Sequence, residues 1–431
     1  MVGPSTLWIR PHRSDWDAWD TPGWSAADLI LYLKKRETYH GKDEPGLHGH
    51  HGPIQVSDNT YKSHRIADEF AAAARFISPD GKRQDTATCY LHPRLQDGKH
   101  PNLHVLVQSK VHRIVFDENR NAVGVEFQHS PLFSAEASPL RSVKAKKLVI
   151  ASAGAIGTPS LLERSGLGDS EVLKTAGIPF VAELPGVGDG YEDHQLLGYP
   201  YFNNLSISDT LDGLVFGRMG SHEDLIESNH KMMGWNGKEI KAKVRPTDDK
   251  VAVLGPEFQK GWETNFKDYP DKPLALLDVN GGFSADPRLA TGDPCLAVTA
   301  FTVQPFSRGH IHITGPKLDD PLYKKQREAI RRMPAYRGEI ARFHPPFAAG
   351  SDAALIELGD SPLPADAPAI RYTPEDDAVI AHVYGVQGLK IADMSIAPRN
   401  VSANTCDTAI TIGEKAADIF IQELGLGAAH V

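Results

Sequence analysis

Cysteine is scarce in this chain: Cys89, Cys295 and Cys406 are the only three in 431 residues. Three widely spaced cysteines form neither a disulfide framework nor the paired spacing of a zinc site, which favours a reducing compartment. Long apolar runs are missing too. No stretch approaches the roughly 18 apolar residues of a membrane span, and MVGPSTLWIRPHRSDWDAWD has no signal-peptide core. Long runs of lysine and arginine are absent, and 46 basic against 55 acidic residues leave a formal charge of −9. That balance argues against nucleic acid or an anionic membrane surface as a partner. The last residues, Ala-Ala-His-Val, are not the usual peroxisomal address. What is present, 41% hydrophobic and 23% charged residues, suits a packed globular protein. The length suggests two domains, or one large α/β domain with an insertion. The expectation is a soluble intracellular protein, cytoplasmic or peroxisomal.

The N-terminal part is rich in tryptophan (Trp8, Trp16, Trp19 and Trp24), and Ser25 can cap a helix burying Leu29, Ile30 and Leu33. His40, His48, His50 and His51 crowd the next loop. Without an acidic or cysteine ligand they are read as a solvated loop, and no metal is expected. Between residues 103 and 151, LHVLVQ, VHRIVF, AVGVEF and KKLVIAS are β-rich runs separated by turns, a meander of strands. Residues 200 to 300 are polar, turn-rich and hard to assign. HIHIT reads as a strand with His310 and His312 on one face. Leu318 to Arg342 reads as a basic, solvated helix, and His344 to Pro374 as a loop.

Two segments carry the chemistry. In GAIGTPSLLERSGLG, Gly154 to Gly168, the outer glycines permit tight turns. Pro159 suits a first helical turn, and Ser165-Gly166 ends the helix. With the apolar strand before it, this is the strand–glycine–helix order of a nucleotide-binding α/β domain, though any βα unit could use glycine and proline this way. In LKIADMSIAPRNVSANTCDTAITIGEKAADIF, a strand leads through a turn at Pro398 into a helix. Ala409, Ile412, Ala416 and Phe420 share one face of that helix. Asn404, just before it, can act as its cap.

Both segments resemble signatures of the glucose–methanol–choline (GMC) oxidoreductases. LPGVGDGYEDH (Leu184 to His194) and PFSRGHIHIT (Pro305 to Thr314) are similar to the same family, and FQKGWETNF, PDKP and YLKKRETYHG to its alcohol (methanol) oxidase branch. The resemblance implies a mixed α/β fold: an FAD-binding Rossmann-like domain, incomplete here, with an antiparallel-sheet substrate domain. The flavin-domain segments would be 1–40, 100–200 and 380–431, and the substrate-domain segments 41–99 and 201–379. It implies an FAD-dependent oxidoreductase acting on the CH–OH group of a small primary alcohol, with molecular oxygen as acceptor, and leaves homo-oligomerisation open. By the same resemblance Asn404 hydrogen-bonds the substrate hydroxyl. Val111, Gly154, Asp393, Met394, Thr405 and Cys406 contact FAD.

Three departures bear on activity. The family's strand–GxGxxG–helix unit has no counterpart near the start of this sequence. The step from Phe76 to Gly81 is abrupt. The histidine that should accept the alcohol proton belongs in a turn before the C-terminal motif, yet Asp377 runs almost directly into His382. His382 and His344 are weak candidates for that base. These gaps lead to the expectation that the chain as written holds FAD weakly and does not oxidise alcohols. The competing readings are therefore a catalytically inactive, truncated relative, or a lyase of the family that keeps flavin structurally.

Overall fold

The computed structural model describes residues 9–41, 46–57, 76–130, 139–284, 292–316 and 386–426. In chain order its main elements are helices α1 (Arg13–Asp17) and α2 (Ala26–Arg36) and strands β1 (Glu37–Tyr39) and β2 (Ile54–Val56). Strands β3 (Ser109–Phe116), β4 (Ala122–His129), β5 (Arg141–Lys144) and β6 (Val149–Ala151) precede helix α3 (Gly154–Arg164). Then come β7 (Leu196–Phe202), β8 (Lys238–Val244), helix α4 (Pro256–Asn265), β9 (Ala275–Gly281), β10 (Cys295–Thr302) and helix α5 (Thr405–Glu423). The fold is mixed α/β with antiparallel sheets, and contacts divide it into two units.

The first unit comprises 1–107, 190–309 and 391–431. Helix α2 starts where Ser25 and Asp28 form a capping box, and it buries Leu29 and Leu33 completely. Strands β1 and β2 pair in parallel, and Ile54, Val56, Phe76 and Cys89 form a core packed against Ile410 of α5. The segment left unassigned by sequence reading forms much of a four-stranded antiparallel sheet in the order β8-β9-β10-β7. Strand alternation buries Leu276, Asp278 and Asn280 on β9, and Cys295, Ala297, Thr299 and Phe301 on β10. Register places Lys241 opposite Asp278 and Asp278 opposite Thr299, so polar groups cross the buried face. A bulge between Lys238 and Ile240 breaks the simple alternation of β8. As a result Lys238 and Lys241, three residues apart, both reach Asp278.

The second unit comprises 108–189 and 310–390. Strands β3, β4 and β5 form an antiparallel sheet. Helix α3 joins it through Ser165 Oγ, which accepts from the Ile114 amide (2.8 Å). Leu161 and Leu162 are buried as expected, and Gly166 ends the helix at φ +87°. A Cβ at Gly166 would lie 2.4 Å from the Pro179 carbonyl oxygen, so glycine is required by space as well as by conformation. Glu163, fully buried, accepts from the Ile313 amide (2.6 Å) and holds His312 Nδ1 at 2.5 Å.

Several local expectations are corrected. Leu103 to Val107 is not a strand, and the third strand of the meander is the exposed Arg141–Lys144, whose polar sequence gives no apolar signal. HIHIT is not a strand either; it is tied down by side-chain and loop contacts such as Glu163, although the His310 and His312 rings do stack 5.0 Å apart. Pro159 lies inside α3 and not in its first turn, because the helix begins at Gly154. The basic stretch from Leu318 to Arg342, His344 to Pro374 and His382 all lie outside the described residues.

Candidate active site

The C-terminal motif folds as read, with a strand at Leu389–Ile391, a 3-10 turn at Met394–Ile396 and then α5. Asp393 caps the 3-10 turn by accepting from Ser395 N (2.8 Å). Ile412, Ala416 and Phe420 anchor α5, each at most 5% exposed, while Ala409 is half-buried. This anchoring fixes the position of the helix N-terminus at Asn404, Thr405 and Cys406.

Asn404 occupies the cap position with extended backbone (φ −64°, ψ 127°), but its side chain makes no capping hydrogen bond. Its Oδ1 instead accepts from Lys241 Nζ at 2.5 Å. The first turn of a 19-residue helix is therefore left without its side-chain acceptor, with its amides and positive dipole end uncapped. Lys241 is only 3% exposed, lies 3.5 Å from Asp278 Oδ1 and sits 4.7 Å from the Phe301 ring centroid. His194, tilted against Phe301, has Nε2 donating to the Val401 carbonyl (3.2 Å). Burial lowers its pKa and favours the neutral ring.

Behind the first turn of α5, Arg36 pairs with Asp407, and both side chains are essentially fully buried. Arg36 Nε and Nη1, Asp407 Oδ2 and Thr408 Oγ1 have no hydrogen-bond partner. Buried polar atoms are rarely left so, and here they are concentrated beside the first turn of α5. Burial raises the Cys406 thiol pKa, with Asp407 adding to the effect, so the thiol stays neutral and is no nucleophile.

Burial lowers the pKa of Lys241 from 10.5 to about 8 despite Asp278. Between about pH 8 and the ordinary lysine value the unfolded chain binds more protons than the folded one, so stability should rise with pH across that window. Urea midpoints at about pH 7 and about pH 10 test this: the rise should shrink in Lys241→Met. An unchanged rise would show that this amine titrates normally.

The structure brings Asp393, Met394, Asn404, Thr405 and Cys406 into the first unit. Val111, on β3, and Gly154, at φ +84° opening α3, belong to the second. A Cβ on Gly154 would meet open space, so its positive φ and not crowding makes glycine the favoured residue. Lys241, Asp278 and Arg36 escaped the sequence reading. Lysines in KEIKAKV look like a solvated strand face, and the bulge that turns two of them onto Asp278 leaves no sequence signal.

The fold and the uncapped helix terminus accord with what comparison with known proteins finds, a similarity to FAD-dependent oxidoreductases. Residues 74–196 match the family model described as GMC oxidoreductase. The chain is 28% identical to the alcohol oxidase of Pichia angusta, over 97% of this chain and 81% of the relative. It is also 28% identical to an oxygen-dependent choline dehydrogenase of Cronobacter sakazakii, over 95% and 78%. Among solved structures, an FAD-dependent oxidoreductase from Chaetomium thermophilum superposes with a TM-score of 0.69 at 22% identity, covering 98% of this chain and 85% of that one. The chain is thus similar to the GMC oxidoreductases along nearly its whole length. The Pichia angusta match runs over 542 positions, 111 more than this chain has residues, so that relative carries stretches within the match that this chain lacks. Among the described residues no helix is long and apolar enough to cross a membrane.

Proposed function

We propose, against the expectation drawn from the missing segments and on the strength of the similarity to alcohol oxidases over 97% of the chain, that this chain oxidises the CH–OH group of a small primary alcohol, with molecular oxygen as the final electron acceptor. The observation that carries this reading is Asn404, a cap residue whose side chain is not used as a cap. With Oδ1 held by Lys241, the amide nitrogen Nδ2 makes no hydrogen bond among the described residues and can donate to a substrate hydroxyl. The similarity to alcohol oxidases supports the substrate class.

The donor set at the head of α5 fits a flavin ring. The Thr405 and Cys406 amides and the helix dipole would face the part of the ring that gathers negative charge, and the orphaned Arg36 donors lie close behind the same turn. Bound FAD supplies the acceptor for the hydride that leaves the carbinol carbon. Asn404 orients the hydroxyl, and the Phe301 side chain keeps water from the amine and amide beside it. In this reading 1–40, 100–200 and 380–431 supply the flavin-binding segments, with Val111, Gly154, Asp393 and Met394 among the contacts. Residues 41–99 and 201–379 supply the substrate-binding ones.

Because the sequence contains no GxGxxG loop, the visible spectrum of the purified protein is the sharpest test. Flavin bands at a 1:1 ratio, with peroxide released on adding methanol or ethanol, are the expected result. A colourless protein that takes up no added FAD, or a yellow one inert to every short primary alcohol, would overturn the reading.

A further inference from the structure

Oxidising an alcohol requires a group that takes the hydroxyl proton as the carbon gives up its hydride. We propose that the neutral amine of Lys241 is that base, a role that rests on the reading given under Proposed function. The supporting geometry is local. Nζ lies 2.5 Å from Asn404 Oδ1 and 3.5 Å from Asp278 Oδ1. A neutral amine has two N–H donors and one lone pair; Asn404 Oδ1 takes one donor, Asp278 Oδ1 lies at ion-pair distance, and the lone pair remains to accept a proton. The planar amide of Asn404 thus serves two partners: Oδ1 holds the base and Nδ2 holds the hydroxyl.

The surroundings favour a neutral amine at working pH. Lys241 is buried, and its nearest carboxylate is shared, since Asp278 Oδ2 also holds Lys238 Nζ at 3.2 Å. Lys243 on the same strand and the His194 ring from the segment before β7 add no negative charge. Two lysines on one carboxylate leave Lys241 only partly compensated, and its pKa of about 8 accords with this. In the step itself the O–H bond breaks and its electron pair forms the second C–O bond. Bound FAD would supply the acceptor for the carbinol hydrogen and its electron pair, and the proton would end on Nζ as –NH3+, later lost to water.

The test combines a titration with kinetics. In protein carrying 13Cε-labelled lysine, the resonance missing from Lys241→Gln should titrate near pH 8, and Lys238→Met should move it upward by removing a like charge. With ethanol as substrate, kcat/KM should rise roughly tenfold per pH unit below about 8 and level off above it. Lys238→Met should shift this limb upward with the resonance. Lys241→Met should keep its flavin spectrum and lose about 100-fold or more in kcat/KM, and methylamine should restore part of the activity of Lys241→Ala. Titration at the ordinary lysine value, or a Lys241→Met enzyme within about threefold of the parent with the same pH profile, would overturn the base while leaving alcohol oxidation standing. A parent protein without turnover overturns both.

Discussion

Replacing Arg36 by methionine is expected to lower the unfolding free energy by about 3–5 kcal/mol, the usual cost of stripping one partner from a buried ion pair. Arg36 ends α2 and Asp407 lies in the first turn of α5, so this pair ties the two helices at the point where the candidate site begins. Methionine fills much of the space but leaves the Asp407 carboxylate buried without a cation. Burial already raises the Asp407 pKa against the pull of Arg36. In the variant the carboxyl should hold its proton to higher pH, so the loss should narrow under acid conditions. Urea denaturation of the single variant and of Arg36→Met/Asp407→Leu provides the check. The double variant should recover most of the stability, because neither charge is then left alone. A single variant within about 1 kcal/mol of the parent would show that the pair is not buried as described.

Asn404→Ala is expected to lower kcat/KM for a primary alcohol by about 100-fold, the scale of losing one donor to an oxygen that gathers charge as its proton leaves. The variant also frees Lys241 Nζ from its acceptor, so the pH profile should change shape as well as height. The helix α5 loses no capping bond, since the Asn404 side chain contributes none, but the buried Lys241 amine loses an acceptor, at a cost of about 1–3 kcal/mol. Asn404→Asp separates the two roles: it keeps an acceptor for Lys241 and loses the donor to the hydroxyl. Its negative charge should raise the Lys241 pKa and move the profile upward. An alanine variant that keeps its activity would show that the Asn404 amide does not hold the substrate hydroxyl.

The sequence was most informative where local chemistry decides structure. The Ser25–Asp28 capping box fixed the start of α2, and Gly166 fixed the end of α3. The Ile412, Ala416 and Phe420 spacing fixed the buried face of α5. These depend on neighbours within a few residues, which a linear reading can see. The place of Asn404 at the head of α5 was legible for the same reason, although whether it caps the helix was not.

What only the tertiary structure decided is how distant polar residues meet. HIHIT alternates like a strand, yet His312 and the Ile313 amide bind Glu163, some 150 residues away. KEIKAKV reads as a solvated strand, yet a bulge and the register against β9 bury Lys241 beside Asp278. Its link to Asn404 spans 163 residues. Lysine looks alike on a wet surface and in a buried site, because its burial is set by whatever chain folds over it. The sequence by itself determined the helix ends, the glycine turns and the family resemblance. Tertiary packing alone turned Asn404 away from its cap and gave it a buried amine as a partner.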